Sequence, residues 1–270
     1  MRVIIFGASG MVGHGALRAC LLDEAVTEVL VVVRSPLPLD HPKLRQIIHT
    51  DFTDYTAVQD QLTDLDACFF CLGVSALGRG EEEYTRVTYD YALAAARALH
   101  AANPSLTFVY VSGEGTDSTG GSRQMWARVK GRTENDLLAM PMHAYMFRPG
   151  YIQPVSGATS RTPVYRVLYR ITGSLYPLLR RAFPRHVTTT DAVGHAMLAV
   201  TRLKGAGPTV LHNPDINRLA AVEPGQAPKP PPPDCPGGRS GHPEDLRTPA
   251  ALPWRHERSL RGACHSRRGL

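Results

Sequence analysis

The sequence predicts an α/β fold, a doubly wound parallel sheet with helices on both faces. Three observations carry this expectation. Apolar, β-branched runs alternate with helical stretches from residue 2 to about residue 202. Several of these runs are continuously apolar, the pattern of strands covered on both sides. A glycine-rich turn follows the first run and opens the first helix. Repeated β-α units of this kind give parallel strands joined by right-handed crossovers.

Arg2–Phe6 reads as the first strand, Met11–Leu22 as a helix and Glu28–Val33 as a Val/Leu-rich second strand. Leu44–His49 is a weaker strand, Tyr55–Leu62 a short helix and Ala67–Leu72 a buried fourth strand. An alanine-rich helix is expected over Glu82–Ala101, ending near Asn103-Pro104, followed by a strand at Leu106–Val111. Met125–Ala139 reads as a helix and Ala144–Phe147 as a short sixth strand. Further helices are expected at Tyr165–Ala182 and, after the Thr188-Thr189-Thr190-Asp191 cap, at Ala192–Arg202.

The periodicity fades near Leu211. Residues 223–270 hold ten of the 22 prolines, including Pro230–Pro233, and have no apolar repeat. Such a segment buries too little surface to offset its ordering entropy, so disorder is expected. The organisation read here is one domain over 1–222, with a lid segment at about 155–185, and a Pro/Arg-rich tail over 223–270.

With 43% hydrophobic and 20% charged residues, the chain has the composition of a soluble globular protein. Half of its formal net charge of +6 lies in the tail, where eight Lys/Arg face five Asp/Glu. No segment combines a dense basic run with interleaved aromatics, which argues against a nucleic-acid partner. No run of 18 apolar residues is present, so no spanning helix is expected. Five cysteines, an odd number, and the lack of a secretory apolar segment fit a reducing cytoplasm. Cys68 and Cys71 form a C-x-x-C spacing, but on a strand positions three apart face opposite sides. They read as small core residues. His195, His256 and His265, with Cys235 and Cys264, match no metal-ligand spacing.

The most informative motif is Gly7-Ala8-Ser9-Gly10-Met11-Val12-Gly13. Placed between a strand and a helix, it fits the Rossmann-type dinucleotide turn. Gly7 permits the tight bend, Gly10 lets backbone approach a diphosphate, and Gly13 lets helix and sheet pack closely. The helix start offers free N–H groups and a positive dipole end to the phosphates. Strand two ends in Val33-Arg34-Ser35, without the carboxylate that usually takes the ribose 2′-hydroxyl of NAD(H). Arg34 and Ser35 suit a 2′-phosphate instead, because a guanidinium makes bidentate, charge-assisted bonds. NADP(H) is therefore the preferred coenzyme, with NAD(H) the alternative. Asp51-Phe52 would border the adenine. Leu72-Gly73 ends strand four where the chain must pass near a coenzyme ribose.

Together with these features, Cys71-Leu72-Gly73, Arg86-Val87, Asp90-Tyr91, Val111-Ser112, Val129-Lys130-Gly131 and Phe147-Arg148-Pro149-Gly150 make the chain similar to the extended or atypical branch of the short-chain dehydrogenase/reductase superfamily. Within it, residues 1–217 resemble the small NAD(P)-binding epimerase/dehydratase-like group related to the human Tat-interacting oxidoreductase-like protein. The resemblance implies catalysis by a Ser after strand five and a Tyr-x-x-x-Lys motif. The Tyr exchanges a proton with substrate oxygen, the Lys lowers its pKa and holds the nicotinamide ribose, and the Ser orients the carbonyl. Ser112 and Lys130 match. The Tyr position is Trp126, whose indole is a donor only and no acid or base near neutrality. It also implies that Pro149 and Gly150 approach the nicotinamide, with Tyr151-Ile152 on the substrate side.

Trp126 leaves three readings. Another group supplies the proton, with Tyr151, Glu114, Asp117 or a water as candidates. The reaction needs no acid there. Or the chain binds NADP(H) without turnover, as a coenzyme-sensing module, while the indole packs beside the nicotinamide or caps an apolar pocket. Arg148 reads equally as a buried structural cation or a substrate anchor. Segment 165–185, apolar at Leu168, Ile171 and Leu175 and basic at Arg166, Arg170, Arg180 and Arg181, reads as a lid or dimer face in preference to a membrane-surface helix. The expected partners are a small-molecule substrate and, at most, a second copy of the chain.

Overall fold

The computed structural model describes residues 1–157, 176, 181–183 and 185–222. The expected helix at Tyr165–Ala182, nearly all of the lid segment and the tail 223–270 lie outside these residues. Seven strands form one parallel sheet: β1 (Arg2–Phe6), β2 (Glu28–Val33), β3 (Leu44–Ile48), β4 (Ala67–Phe70), β5 (Thr107–Val111), β6 (His143–Arg148) and, late in the chain, β9 (Val210–His212). Their order is β3-β2-β1-β4-β5-β6-β9. The strand order reverses beside β1, between β2 and β4, the topological switch point at which open α/β sheets bind ligands. Two three-residue strands, β7 (Tyr151–Gln153) and β8 (Val187–Thr189), make a separate parallel pair.

Alternation along each strand divides the core in two. Ile5, Val31, Phe69, Val109 and Phe147 face α1 (Met11–Leu22), α5 (Thr190–Thr201) and α6 (Asn213–Ala220) through Leu17, Met197 and Ile216. Their strand neighbours Ile4, Phe6, Val32, Cys68, Phe70 and Tyr110 pack on the other side against Leu93, Leu99 and Leu137. Those three come from α3 (Tyr91–Ala102) and α4 (Met125–Leu138). Continuous apolar strands are thus covered on both faces, as their sequences predict. Cys68 and Cys71 fall on opposite sides of the sheet, and Cys20, Cys68 and Cys71 are free thiols. Burial pushes the thiols up, Cys71 to about 12, so they are inert core atoms at neutral pH.

The expected helix at Glu82–Ala101 is present but not uniform. It begins as α2 (Glu81–Thr85), widens to a π-helical turn over Arg86–Asp90, and continues as α3. Tyr91 N–H accordingly bonds back to Arg86 O, five residues earlier. Tyr55–Leu62 forms a 3₁₀ turn at Thr56–Gln61 in place of an α-helix. Thr189 caps α5, its Oγ1 accepting Ala192 N–H at 3.0 Å. None of the described helices is long and apolar enough to cross a membrane.

Candidate coenzyme and substrate site

The glycine turn joins β1 to α1. Gly7 has φ +79°, and a Cβ there would lie 2.7 Å from Leu72 N and 2.8 Å from Cys71 O, so both conformation and space demand glycine. Gly10 N–H closes the turn on Gly7 O at 2.8 Å. A Cβ on Gly13 would lie 2.2 Å from that same oxygen. Helix α1 begins at Met11, after Gly10 as its cap residue, with no side-chain cap and no acidic residue in its first turn. Its leading N–H groups and dipole are left for an anion. Above the end of β4, Gly73 meets open space. These residues fit a dinucleotide: a cradle that any Cβ would fill, an uncapped helix start, and an unobstructed edge beside it.

At the end of β2, Arg34 and Ser35 are exposed, and no acidic side chain joins them on that strand end. Asp51 is exposed, its carboxylate accepting Thr53 N–H at 3.0 Å and Thr53 Oγ1–H at 2.5 Å, which holds it below the usual carboxylate range. Phe52 is 3% exposed and packs 5.6 Å from Tyr91 and 6.4 Å from Phe6, ring centre to ring centre. Its side chain belongs to the core, so only its main chain is left for the expected place beside an adenine.

A cavity of about 1090 Å³ opens at the carboxyl ends of β4, β5 and β6. It is bounded by Met11 of the glycine turn, Ser112, Glu114, Trp126, Lys130 and Pro149-Gly150. The structure therefore brings the Ser, Lys and Trp positions of the motif to one wall. Lys130 Nζ donates to the Ser112 carbonyl oxygen. Burial lowers its pKa to about 8, against the opposing pull of Glu134. The Trp126 ring edge lies over Gly115, where a Cβ would come within 3.1 Å of Cη2. Gly115 has φ +83°, so the turn after β5 and the indole fit each other.

Behind this wall lies a polar knot that sequence reasoning missed. Glu134, fully buried on α4, accepts from Ser112 Oγ and from Arg148, whose Nε lies 3.0 Å and 3.1 Å from its two oxygens. Arg148 Nη2 also reaches Ser118 Oγ at 2.5 Å. Arg148 is thus a structural cation, which corrects its place among the substrate-pocket residues. Ser112 Oγ also lies 3.0 Å from Phe147 O, so its one proton is already spoken for by interior acceptors.

The other substrate-side candidates separate. Glu114 lines the cavity, its N–H donating to Pro149 O at 2.9 Å. Tyr151 does not line it. Strand β7 directs its hydroxyl to Gln153 Oε1 at 2.8 Å, correcting the pocket assignment. Asp117 is held by Thr119 and Ser122 N–H groups and Thr119 Oγ1, stays in its charged form, and is likewise absent from the lining. Val74–Leu77, Tyr84, Ser122 and Gln124 also line the cavity and carry no local motif by which they could have been found. No group of acidic, histidine or cysteine side chains among the described residues is arranged to hold a metal.

Comparison with known proteins agrees with this geometry. The NAD dependent epimerase/dehydratase family matches residues 3–128. A protein of Meyerozyma guilliermondii, "Protein FMP52, mitochondrial", is 24% identical over 229 residues, covering 82% of this chain and 95% of that one. "Protein HTATIP2" of Rattus norvegicus is 27% identical over 153 residues, 56% of this chain and 62% of its own length. Among solved structures, a short-chain dehydrogenase/reductase family oxidoreductase from Burkholderia thailandensis superposes with TM-score 0.61 at 17% identity, covering 82% of this chain and 93% of that one. The Bordetella bronchiseptica enzyme WbmF, solved with NAD+, gives TM-score 0.56 at 18% identity, covering 81% and 76%. The glycine cradle and the Ser112–Lys130 wall thus stand in a Rossmann-type fold shared with these solved structures, in a chain similar to NAD dependent epimerase/dehydratase proteins over residues 3–128.

Proposed function

We propose that the chain is an NADP(H)-dependent oxidoreductase or epimerase-like enzyme acting on a small carbonyl or alcohol substrate. The observation that carries this reading is the convergence of the glycine cradle, Ser112 and Lys130 on one cavity large enough for a nicotinamide and a small organic molecule. The bound nicotinamide would accept or supply the hydride. The residues of the chain do the rest. Gly7–Gly13 amides take the diphosphate, and Lys130 holds ribose hydroxyls. Trp126 and Gly115 close the apolar side of the cavity and exclude water. Arg34, exposed and without an ion pair among the described residues, takes the 2′-phosphate with Ser35. Among the described residues, the free thiols of Cys20, Cys68 and Cys71 are compatible with a reducing, cytoplasmic setting.

Trp126 favours a second reading, a coenzyme-sensing module with little or no turnover. Calorimetric titration with NADPH and NADH tests the shared part. NADPH should bind at least about tenfold more tightly, and Arg34→Ala should remove that preference, about 1.4 kcal/mol, without weakening NADH. Equal affinities would reject the role given to Arg34. Binding without oxidation of NADPH by any carbonyl probe would favour the sensing module.

A further inference from the structure

Among the described residues the cavity wall contains three titratable side chains, Tyr84, Glu114 and Lys130. Tyr84 is buried, which pushes its phenol above the ordinary range. Lys130 Nζ is engaged with the Ser112 carbonyl. Ser112 Oγ is turned to Glu134 and Phe147 O. Trp126 has no proton to exchange near neutrality. Glu114 differs from all of these. One carboxylate oxygen, Oε1, lies 2.9 Å from Nδ1 of His186. The other, Oε2, sits over Gly150, where a Cβ would be only 2.7 Å away. A Cβ on Gly150 would also press to 2.4 Å of His186 O. Only glycine at 150 leaves room for both members of the pair.

The pair is fixed from several directions. Glu114 N–H is tied to Pro149 O, and His186 O accepts Tyr151 N–H at 2.8 Å. The turns after β5 and β6 and the start of β8 therefore meet at one carboxylate. The side chains are 49% and 60% exposed, so the histidine reaches solvent while Glu114 faces the cavity.

We propose that Glu114, coupled to His186, is the group that exchanges a proton with the substrate oxygen, in the place where the indole of Trp126 leaves the motif without an acid. This inference rests on the oxidoreductase reading above. In the reducing direction the C=O π pair moves onto oxygen as hydride reaches carbon, and that oxygen takes the proton of the Glu114 carboxyl. The carboxylate left behind regains a proton from water through the His186 imidazole. In the oxidising direction the alcohol proton passes to Glu114 and leaves by the same route. Gly150 is a positioning residue, keeping the space the carboxylate occupies.

Two measurements test the proposal. In ¹⁵N spectra of the coenzyme-free chain, His186 should carry a hydrogen-bonded proton at Nδ1, and Glu114→Ala should abolish it; identical spectra would overturn the coupling. With NADPH and three carbonyl probes (phenanthrenequinone, an aromatic aldehyde and a small ketone), Glu114→Gln should lower turnover about 100-fold or more and His186→Gln about tenfold, with NADPH affinity unchanged. Turnover retained in Glu114→Gln overturns the proposal. A wild-type chain that binds NADPH and oxidises it with none of the three overturns the oxidoreductase reading and the proposal with it, as does failure to bind either coenzyme.

Discussion

Replacing Gly13 by alanine sets two effects of similar size against each other. Gly13 lies buried in the first turn of α1, and a helical glycine replaced by alanine gains about 1 kcal/mol in helix propensity. The new methyl would lie 2.2 Å from Gly7 O, 2.6 Å from Gly7 C and 2.9 Å from Ala8 Cα. All three are backbone atoms of a tight turn, so no rotamer change relieves the contact. Overpacking of this kind costs about 1–3 kcal/mol, and a carbonyl oxygen that must move by about 1 Å belongs at the upper end. The clash wins, leaving a net loss of about 1–2 kcal/mol and a fall in midpoint of about 2–8 °C for a domain of this size. Gly7 O is also the acceptor of Gly10 N–H. Moving it displaces the amides that face the diphosphate, and coenzyme affinity should fall at least about tenfold, 1.4 kcal/mol. Urea unfolding and calorimetric titration of Gly13→Ala with NADPH check both numbers. A variant as stable as the parent with unchanged affinity would refute this account of the turn.

Three further outcomes follow from the site. Trp126→Tyr returns a phenol beside Lys130, so it should restore NADPH-dependent reduction of phenanthrenequinone to Glu114→Gln by about tenfold or more; no recovery would show that the wall cannot present a substrate oxygen to that position. Lys130 has its pKa lowered to about 8 in the fold, against the ordinary 10.5 of an unfolded lysine. Between those values the unfolded chain binds more protons, so this residue's contribution makes stability rise with pH from about 8 and levels off above about 10.5. Urea midpoints of the wild-type chain and Lys130→Met across that range should differ by this rise, and parallel curves would contradict it. Glu134→Ala leaves the Arg148 guanidinium, 14% exposed, without its carboxylate. Removing one partner of a buried pair costs about 3 kcal/mol, equivalent to roughly 6–12 °C, and a shift below about 1 kcal/mol in urea unfolding would show that water replaces the carboxylate.

Long, continuously apolar strands and the glycine turn were legible in the sequence because their signals are local. Burial on both faces leaves β4 wholly apolar and β1 and β2 apolar after their first residues, Arg2 and Glu28, and a strand, a glycine turn and a helix are contiguous. Strands β7, β8 and β9 escaped notice because three residues carry no measurable periodicity. The π-helical turn at Arg86–Asp90 escaped because it shifts the hydrogen-bond partner by one residue without breaking the apolar stripe. Phe52 shows a different limit. Its position after β3 is right for an adenine neighbour, but which side of the loop the ring takes depends on Phe6 of β1 and Tyr91 of α3.

The charged residues of the site show the same limit more sharply. Glu134 lies four residues after Lys130, on the same helical face, and that spacing was its one available signal. Its pairing with Arg148 joins α4 to the end of β6, and Glu114 meets His186 across 72 residues of chain. Neither contact has a local trace. Their consequence is a division of labour between interior and rim. Ser112, Glu134 and Arg148 are locked together behind the wall, and Lys130 is tied to the Ser112 carbonyl. In a chain with a phenol at position 126 the lysine charge would act on that phenol. Here no acid stands there, and the lysine braces the β5 turn through the Ser112 carbonyl. Proton exchange needs a group that faces the cavity and also reaches water. Glu114 with His186 meets both conditions, because the carboxylate lines the cavity and the histidine bonded to it is exposed.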